Sequence, residues 1–450
     1  MSDTSASADP VRAARRRQNF SRELAEKGWY HSIELPSGEV LEGVLSLPHL
    51  KKRYAEFPLP QDLAGKTTLD IGAWDGWFSF EMERRGAAVT AVDCVEIENF
   101  LYARERIGSS VEYRILDMYE LSANSVGRFD YVLFLGVLYH LKHPLLALEI
   151  VCELTRDIAI VESFVANDGV AGHHRDSDIP WMEFYETDEL GEQLDNWIGP
   201  SVECLLALCR AAGFARVELL SLNESRACVA CYRHWGAPPA PPAAEAPQLL
   251  EIAHSRNYGI NFNSRREEYV TCWFQSAEPD LKRGDVYPEA GGYGVRAMYL
   301  KPLGEGRWQV NFRLPPGLAA GWHDVRLRTA NSAYGKPLRI AVDMPTQADH
   351  LHMASVCDGV TWKPNEVQLR EYGFLSFWIE GLGENCDRNN LRVLLGGARL
   401  RVDFISAPDP NGFRQVNVRV PGATPAGEHV MSVSYGGAVC EPLAIQVAKV

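Results

Sequence analysis

The sequence lacks several features that would exclude an ordinary water-soluble enzyme. No apolar run reaches the roughly 18 residues that a transmembrane helix needs, and residues 1–20 have no apolar core of a secretory signal. Ten cysteines are scattered without zinc-like pairing, and Cys228 and Cys231 would lie on opposite faces of a strand. We therefore expect buried free thiols, no membrane association and a cytoplasmic location.

The first half of the chain also lacks basic charge. Residues 1–235 contain 23 Lys and Arg against 37 Asp and Glu, whereas residues 236–450 contain 22 of each. The one basic run, at residues 12–17, is typical of a solvated helix face or tail. Because nucleic-acid binding relies on basic surface, this imbalance argues against a tRNA or DNA substrate.

Neither G-x-G-x-x-G nor a GK[ST] phosphate loop is present, but a related pattern is. A short apolar strand ending at Ile71 runs into a turn bracketed by Gly72 and Gly76, and a helix is expected over Trp77–Arg85. A second strand ends about twenty residues later at Asp93, where a carboxylate can accept both hydroxyls of a ribose. The pattern predicts a nucleotide-binding α/β domain.

Acidic residues distinguish this turn from a pyrophosphate site. Asp70 leads into the turn and Asp75 lies within it, which suits a positively charged ligand such as S-adenosylmethionine. The segment resembles class I S-adenosylmethionine-dependent methyltransferases, with Trp74 at a position where that family has glycine. The resemblance implies a cofactor site formed by Asp70, Gly72, Ala73, Trp74, Asp75, Gly76, Asp93, Asp117, Met118, Leu135 and Gly136.

Within that set, Asp117 and the backbone of Met118 would border the adenine, although Asp117 also fits a surface acid that ends a strand. Leu135 and Gly136 follow a strand that is apolar on both faces, as buried parallel strands are.

The segment from Gly136 to His140 and the segment from Asn196 to Ser201 resemble the wobble-uridine tRNA carboxymethyltransferase family. That family uses carboxy-S-adenosylmethionine, held by a lysine, a tyrosine and an arginine. Tyr139 matches the tyrosine, Arg226 is a weak match to the arginine, and Lys51 and Lys52 are only loose matches to the lysine. Ordinary S-adenosylmethionine is therefore the expected cofactor, with the carboxylated form as the alternative.

A hydroxyl acceptor requires a general base, and His140 is the first candidate because it lies beside the expected methyl position and histidine titrates near neutrality. Tyr139 is the second predicted catalytic residue. A packing role for His140 is the alternative. The insertion over residues 166–195 is interpreted as a lid, and Glu162 as a residue facing the pocket. The predicted acceptor contacts are Trp181, Glu183, Tyr185 and Trp197. His173, His174, Asp176 and Asp178 could hold a metal but equally suit a solvated loop, and we predict no metal.

The predicted organisation has five parts. They are a helical lead-in over 1–65, in which Val11–Lys27 is helical and Trp29–Tyr54 irregular, a methyltransferase domain over 66–235, a Pro/Ala linker over 236–247, and sandwiches over 248–345 and 346–450. The last two parts share a repeat, because Gly321 and His323 recur as Gly427 and His429.

The predicted fold class is thus a Rossmann-like α/β methyltransferase domain followed by two all-β immunoglobulin-like or IPT/TIG-like sandwiches. Three functions remain open. The first is O-methylation of a small-molecule or glycan-type acceptor, the second is tRNA wobble-uridine modification, and the third is a non-catalytic scaffold. The sandwiches could bind carbohydrate, cover the site or form a homo-oligomer.

Overall fold

The computed structural model describes residues 28–166, 179–223 and 225–449. The predicted helix Val11–Lys27 and the predicted loop residues His173, His174, Asp176 and Asp178 lie outside these ranges. The chain divides into two compact units. The first comprises Met1–Ala237 with Tyr293–Arg296 and Pro315–Gly317, and the second comprises Pro238–Gly292, Ala297–Leu314 and Leu318–Val450.

The first unit is an α/β fold around a seven-stranded sheet of order β10-β11-β7-β6-β3-β4-β5. Its elements are β1 (Ile33–Glu34), β2 (Val40–Leu41), α1 (Leu47–Ala55), β3 (Thr67–Ile71), α2 (Trp77–Arg84), β4 (Ala88–Asp93), α3 (Glu98–Ile107), β5 (Glu112–Ile115), β6 (Phe129–Leu135), α4 (Pro144–Leu154), β7 (Thr155–Phe164), β8 (Met182–Phe184), β9 (Ile198–Pro200), α5 (Val202–Ala212), β10 (Arg216–Asn223) and β11 (Arg226–Tyr232). Short 3₁₀ helices span Met118–Glu120 and Leu138–His140.

Strands β3 to β7 are mutually parallel, and β11 pairs antiparallel with β7 and β10. Helices cover both faces of the sheet: α4 and α5 pack on one face, and α1, α2 and α3 on the other. Two apolar layers explain why β6 is apolar along almost its whole length. Cys228 and Cys231 pack into opposite layers, as the strand alternation predicts. All ten cysteines are free thiols, and eight of them are buried.

The expectation that Trp29–Tyr54 is irregular is wrong. A two-stranded antiparallel pair, β1 with β2, and the helix α1 occupy this segment. Pro48 lies in the first turn of α1, where a missing N–H is tolerated, and Leu50 and Tyr54 are its buried residues. The helix is short and has few apolar residues, and the burial of Leu50 and Tyr54 in the core that it shares with α2 stabilises it.

The second unit consists of antiparallel-rich sheets arranged as two successive β-sandwiches. Sheet β12-β14-β18-β17 and sheet β13-β20-β19-β15 form the first, and sheet β21-β23-β27-β26 and the sheet β22-β30-β28-β24-β25 with β29 form the second. Strand β16 belongs to the first unit. The strands are β12 (Gln248–His254), β13 (Asn261–Phe262), β14 (Tyr269–Gln275), β15 (Val286–Ala290), β16 (Tyr293–Gly294), β17 (Ala297–Gly304), β18 (Arg307–Arg313), β19 (Gly321–Thr329), β20 (Leu338–Val342), β21 (His352–Asp358), β22 (Glu366–Leu369), β23 (Tyr372–Glu380), β24 (Arg392–Leu395), β25 (Ala398–Arg399), β26 (Arg401–Ile405), β27 (Arg414–Pro421), β28 (Gly427–Tyr435), β29 (Ala438–Val439) and β30 (Leu443–Lys449).

The two sandwiches repeat one plan, as the sequence repeat predicts. Strands β19 and β28 occupy equivalent positions, and the Nε2 atoms of His323 and His429 each contact the backbone oxygen four residues earlier, at 2.7 and 2.9 Å. The predicted fold class, an α/β domain followed by β-sandwiches, is confirmed. The exact domain boundaries stay predictions. Among the described residues, no helix is long and apolar enough to cross a membrane.

The turn glycines provide a matched test of packing against backbone strain. Gly76 and Gly38 have nearly the same φ, 86° and 85°. A Cβ on Gly76 would lie 2.6 Å from the Phe100 ring, whereas a Cβ on Gly38 would meet no heavy atom within 4 Å. We expect Gly38→Ala to lower the free energy of unfolding by about 1–2 kcal/mol through backbone strain alone. Gly76→Ala should lower it by about 1–3 kcal/mol more, because the core must shift.

Denaturant unfolding of both variants and the wild type, monitored through the first unit, measures the difference. Equal losses for the two variants would contradict the packing at Gly76.

Candidate active site

A cavity of about 1020 Å³ opens where the parallel strands end. Strands β3, β4, β5 and β6 all lead into it at their carboxyl ends, which is where open α/β sheets bind ligands. The cavity lining includes twelve of the predicted site residues, namely Asp70, Gly72, Ala73, Trp74, Asp93, Asp117, Met118, Leu135, Gly136, Tyr139, His140 and Trp197. Their assignment to particular parts of a ligand stays a prediction.

The turn after β3 brings backbone close to the cavity. Gly72 has φ 73°, and a Cβ there would lie 2.3 Å from the side chain of Val137, so only glycine fits this approach. Trp74 also has positive φ, at 52°, and its side chain is partly exposed at the cavity. This left-handed conformation explains why a glycine suits the same position in the family that the turn resembles.

Two carboxyl groups are buried at this end of the cavity. Asp70 accepts a hydrogen bond from Ser79 Oγ at 2.6 Å, and burial raises its pKa to about 6. Asp93 Oδ1 accepts the Trp74 N–H at 3.4 Å, while Oδ2 is buried with no hydrogen-bond partner in the described part of the chain. Burial, with the nearby charges of Asp70 and Asp75, raises the pKa of Asp93 to about 7. Asp93 is therefore poised to accept hydrogen bonds from a ligand.

Asp75 and Gly76 do not line the cavity, and their place in the cofactor site stays a prediction. The Asp75 carboxylate accepts the N–H groups of Tyr30 at 2.6 Å and His31 at 2.9 Å, and the side-chain amide of Asn99 at 3.0 Å. Its buried charge therefore holds the lead-in segment against the turn. Gly76 packs closely against the ring of Phe100 instead.

His140 also lines the cavity, in a defined tautomer. Its Nδ1 is 3.2 Å from the backbone oxygen of Asp195 and 3.4 Å from the Asp195 carboxylate. A carbonyl oxygen can only accept, so Nδ1 carries the proton and Nε2 has a free electron pair. Burial lowers the pKa of His140, opposed by Asp195. A neutral imidazole near pH 7 can thus accept a proton at Nε2.

A compact ion cluster lies beside His140. Glu162 is almost fully buried and accepts two hydrogen bonds from Arg226, at 2.6 and 3.1 Å. Arg226 also donates to the Tyr139 hydroxyl at 3.0 Å, and Arg53 lies 3.7 Å from Glu162. The predicted orientation of Glu162 toward the pocket is confirmed, and the weakly assigned Arg226 does meet Tyr139. Most of the Arg226 fork is already occupied by Glu162.

The lid over residues 166–195 stays a prediction, and residues 167–178 lie outside the described ranges. Leu190, Gly191, Gln193 and Asp195 line the cavity, but Trp181, Glu183 and Tyr185 do not, and their role as acceptor contacts stays a prediction. Tyr185 packs with Phe164 and Leu190, and its hydroxyl donates to Glu183 at 2.7 Å. The sequence pattern around the short strand β8 could not show that Tyr185 and Trp181 pack in a small separate apolar core.

Sequence reasoning missed the contribution of the lead-in segment. Tyr30, His31 and Arg53 line the cavity, whereas the two loose candidates do not: Lys51 pairs with Glu34 at the surface, and Lys52 is exposed. The nearest signal was the aromatic cluster before β1, but contacts with the turn more than forty residues away decide its place.

Comparison with known proteins shows which protein family most of the first unit is similar to. Residues 46–219 match the profile of a family described as "Methyltransferase domain". Ubiquinone biosynthesis O-methyltransferase of Azotobacter vinelandii is 42% identical over 84 residues, which is 18% of this chain and 36% of that protein. The tRNA U34 carboxymethyltransferase of Marinobacter nauticus is 28% identical over 169 residues, 36% of this chain and 48% of that protein.

The solved structure of the N-terminal domain of EvdMO1 with SAH bound is 22% identical, covering 51% of this chain and 99% of that one with a TM-score of 0.35. The chain spans only about a third to a half of the length of the curated relatives it matches. The family match and the seven-stranded sheet agree over the segment that contains most of the cavity. Residues 46–219 of this chain are therefore a methyltransferase domain, as the resemblance of the Gly72–Gly76 turn implies.

Proposed function

We propose that the protein is an S-adenosylmethionine-dependent methyltransferase that methylates a hydroxyl of a small-molecule or glycan-type acceptor. The observation that carries the proposal is one cavity that holds an incompletely hydrogen-bonded buried carboxylate, Asp93, and a neutral imidazole, His140. The first suits a nucleoside, and the second suits removal of a proton from a hydroxyl.

The residues at the turn fit the cofactor. Asp93 Oδ2 is a buried acceptor that ribose hydroxyls would satisfy, and Asp70 adds negative charge near a cationic amino acid moiety. Met118 and Asp117, after β5, would border the base. When bound, S-adenosylmethionine supplies a methyl group on a sulfonium, which is already an excellent leaving group.

The protein then has two tasks, alignment of the acceptor and removal of its proton. Tyr139, Trp197 and Leu141 line the side of the cavity near His140 and can orient an acceptor ring. Nε2 of His140 would accept the proton of the acceptor hydroxyl, and the Asp195 carboxylate would stabilise the resulting imidazolium. The net negative charge of residues 1–235 favours a small acceptor over a nucleic acid.

The raised pKa of Asp93 makes a prediction about cofactor affinity. A ligand that donates hydrogen bonds to ionised Asp93 binds the deprotonated form, so affinity for S-adenosylhomocysteine should rise with pH through about 7 and then level off. Asp93→Asn should weaken binding at pH 8 by about 10- to 100-fold, because hydrogen bonds to a charged group are worth about 1.5–3 kcal/mol.

Isothermal titration of S-adenosylhomocysteine across this pH range measures the effect, with Glu96→Gln, an exposed acid outside the cavity, as the matched control. Unchanged affinity in Asp93→Asn, or affinity that falls as pH rises, would remove Asp93 from the cofactor site. A wild-type protein that binds no cofactor at all would support the scaffold function instead.

The base assignment makes a second prediction. His140→Ala should lower the rate of methyl transfer to a hydroxyl acceptor by about 10²- to 10⁴-fold and leave S-adenosylhomocysteine affinity unchanged. In the wild type, the rate should fall in acid through a pKa below 6.5, since His140 must be deprotonated and its pKa is lowered. Transfer of a labelled methyl group to a panel of catechols and sugars measures both effects.

His143→Ala is the matched control, because His143 lies three residues away, is exposed and does not line the cavity. A His140→Ala variant with wild-type rate and pH profile would assign His140 to packing.

A second candidate function is wobble-uridine modification with the carboxylated cofactor, favoured by the contact between Tyr139 and Arg226. Against it, Glu162 already neutralises Arg226. If our proposal is right, the protein should bind S-adenosylmethionine at least as tightly as its carboxylated form, and total tRNA at low salt should not shift its mobility. Tighter binding of the carboxylated form together with a salt-sensitive tRNA shift would establish the second function.

A further inference from the structure

The first sandwich contains a cavity of about 620 Å³ that lies entirely within the second unit. Its lining includes two aromatic side chains, two carboxylates and two guanidinium groups, those of Trp322, Tyr334, Glu289, Asp324, Arg326 and Arg339. This volume is within the range of about 300–1,000 Å³ that small-molecule sites occupy.

Strand register explains how these side chains come together. Trp322, Asp324 and Arg326 alternate along β19 and therefore share one face of the sheet. On the neighbouring strands, Glu289 of β15 is opposite Arg326, and Arg339 of β20 is opposite Asp324. Three adjacent strands thus present one charged and aromatic surface.

Contacts between these residues hold them in place. Arg326 Nε donates to Glu289 at 2.7 Å, and its guanidinium carbon lies 4.3 Å from the centre of the Tyr334 ring. The guanidinium carbon of Arg339 lies 4.9 Å from the Trp322 ring centre, while the Arg339 side chain stays about half exposed. Stacking orients both guanidinium groups, and Arg339 Nη2 also lies 3.9 Å from a carboxylate oxygen of Glu384.

The second sandwich shows that the module folds without this surface. In the repeat, Trp322, Asp324 and Arg326 correspond to Glu428, Val430 and Ser432 of β28. Leu394 is opposite Ser432 and Ala444 is opposite Val430, where the first sandwich has Glu289 and Arg339. Every charged or aromatic position named here on β15, β19 and β20 has a residue of different chemistry in the sibling.

Other residues beside the same cavity are shared and serve the fold. His323 and His429 make equivalent backbone contacts, and each ring lies against a glycine, Gly291 or Gly396, that a Cβ would bring within 3 Å of it. The repeat therefore separates shared structural residues from a set that only the first sandwich carries.

We propose that this cavity binds a neutral carbohydrate. Aromatic rings such as Trp322 stack on the C–H face of a pyranose, and carboxylates paired with guanidinium groups exchange hydrogen bonds with adjacent hydroxyls. The two acids and two bases balance, so the surface has no net charge that would select a polyanion or a polycation. This inference goes beyond the proposed methyl transfer and does not depend on it.

The test is isothermal titration of the full chain with cellohexaose, maltohexaose and chitohexaose as probes, and with heparin as a polyanion. We expect at least one neutral oligosaccharide to bind, and Trp322→Ala to weaken that binding about tenfold or more through loss of stacking. Trp362→Ala is the matched control, because Trp362 is an exposed tryptophan of the second sandwich, outside the cavity. Its binding should equal that of the wild type.

Arg339→Gln gives a second variant at a half-exposed position, in case Trp322→Ala does not fold. It should weaken oligosaccharide binding while thermal unfolding and S-adenosylhomocysteine binding stay as in the wild type. The proposal is overturned if none of the neutral probes binds at millimolar concentration, if only heparin binds, or if both cavity variants bind a neutral probe as well as the wild type does. Failure of S-adenosylhomocysteine binding would affect the proposed methyl transfer alone.

Discussion

The burial of two carboxyl groups at the ends of neighbouring parallel strands is the constraint on which the first unit depends. Burying an ionisable carboxyl group is unfavourable, and the protein does so for Asp70 and Asp93, whose pKa values rise to about 6 and 7. Of the two, only Asp93 has a buried oxygen without a hydrogen-bond partner among the described residues. The sheet tolerates this burial because apolar side chains pack on both of its faces and keep β3 paired with β4. A nucleoside that donates hydrogen bonds would remove the penalty.

Other polar side chains that line the same cavity have hydrogen-bond partners within the protein. Glu162, Arg226 and Tyr139 satisfy one another, and Asp195 fixes the tautomer of His140. Asp93 Oδ2 thus lacks a hydrogen-bond donor among the described residues, whereas Glu162, Arg226 and Tyr139 are hydrogen-bonded to one another and need little reorganisation when a ligand binds. Pre-organised polar groups of this kind are what a transfer reaction with a reactive cofactor requires from its protein.

The two sandwiches show how a repeated module diverges. Both keep the histidine contact and the glycine beside it, which the turn geometry demands, and both bury an apolar interior. The outward face of β19 and its neighbours carries no such demand, so its residues are free to differ. In the first sandwich, these variable positions line a cavity with paired charged side chains and aromatic rings.

Local sequence determined the features that depend on residues close together in the chain. The glycine turn before α2, the acid that ends β4, the apolar strand leading to Tyr139 and His140, and the sandwich repeat all follow from spacing and periodicity. Tertiary structure alone decided the rest. Asp75 accepts hydrogen bonds from the lead-in, Tyr185 packs inward, and Arg53 reaches the cavity from α1, because each depends on partners that sequence periodicity cannot identify.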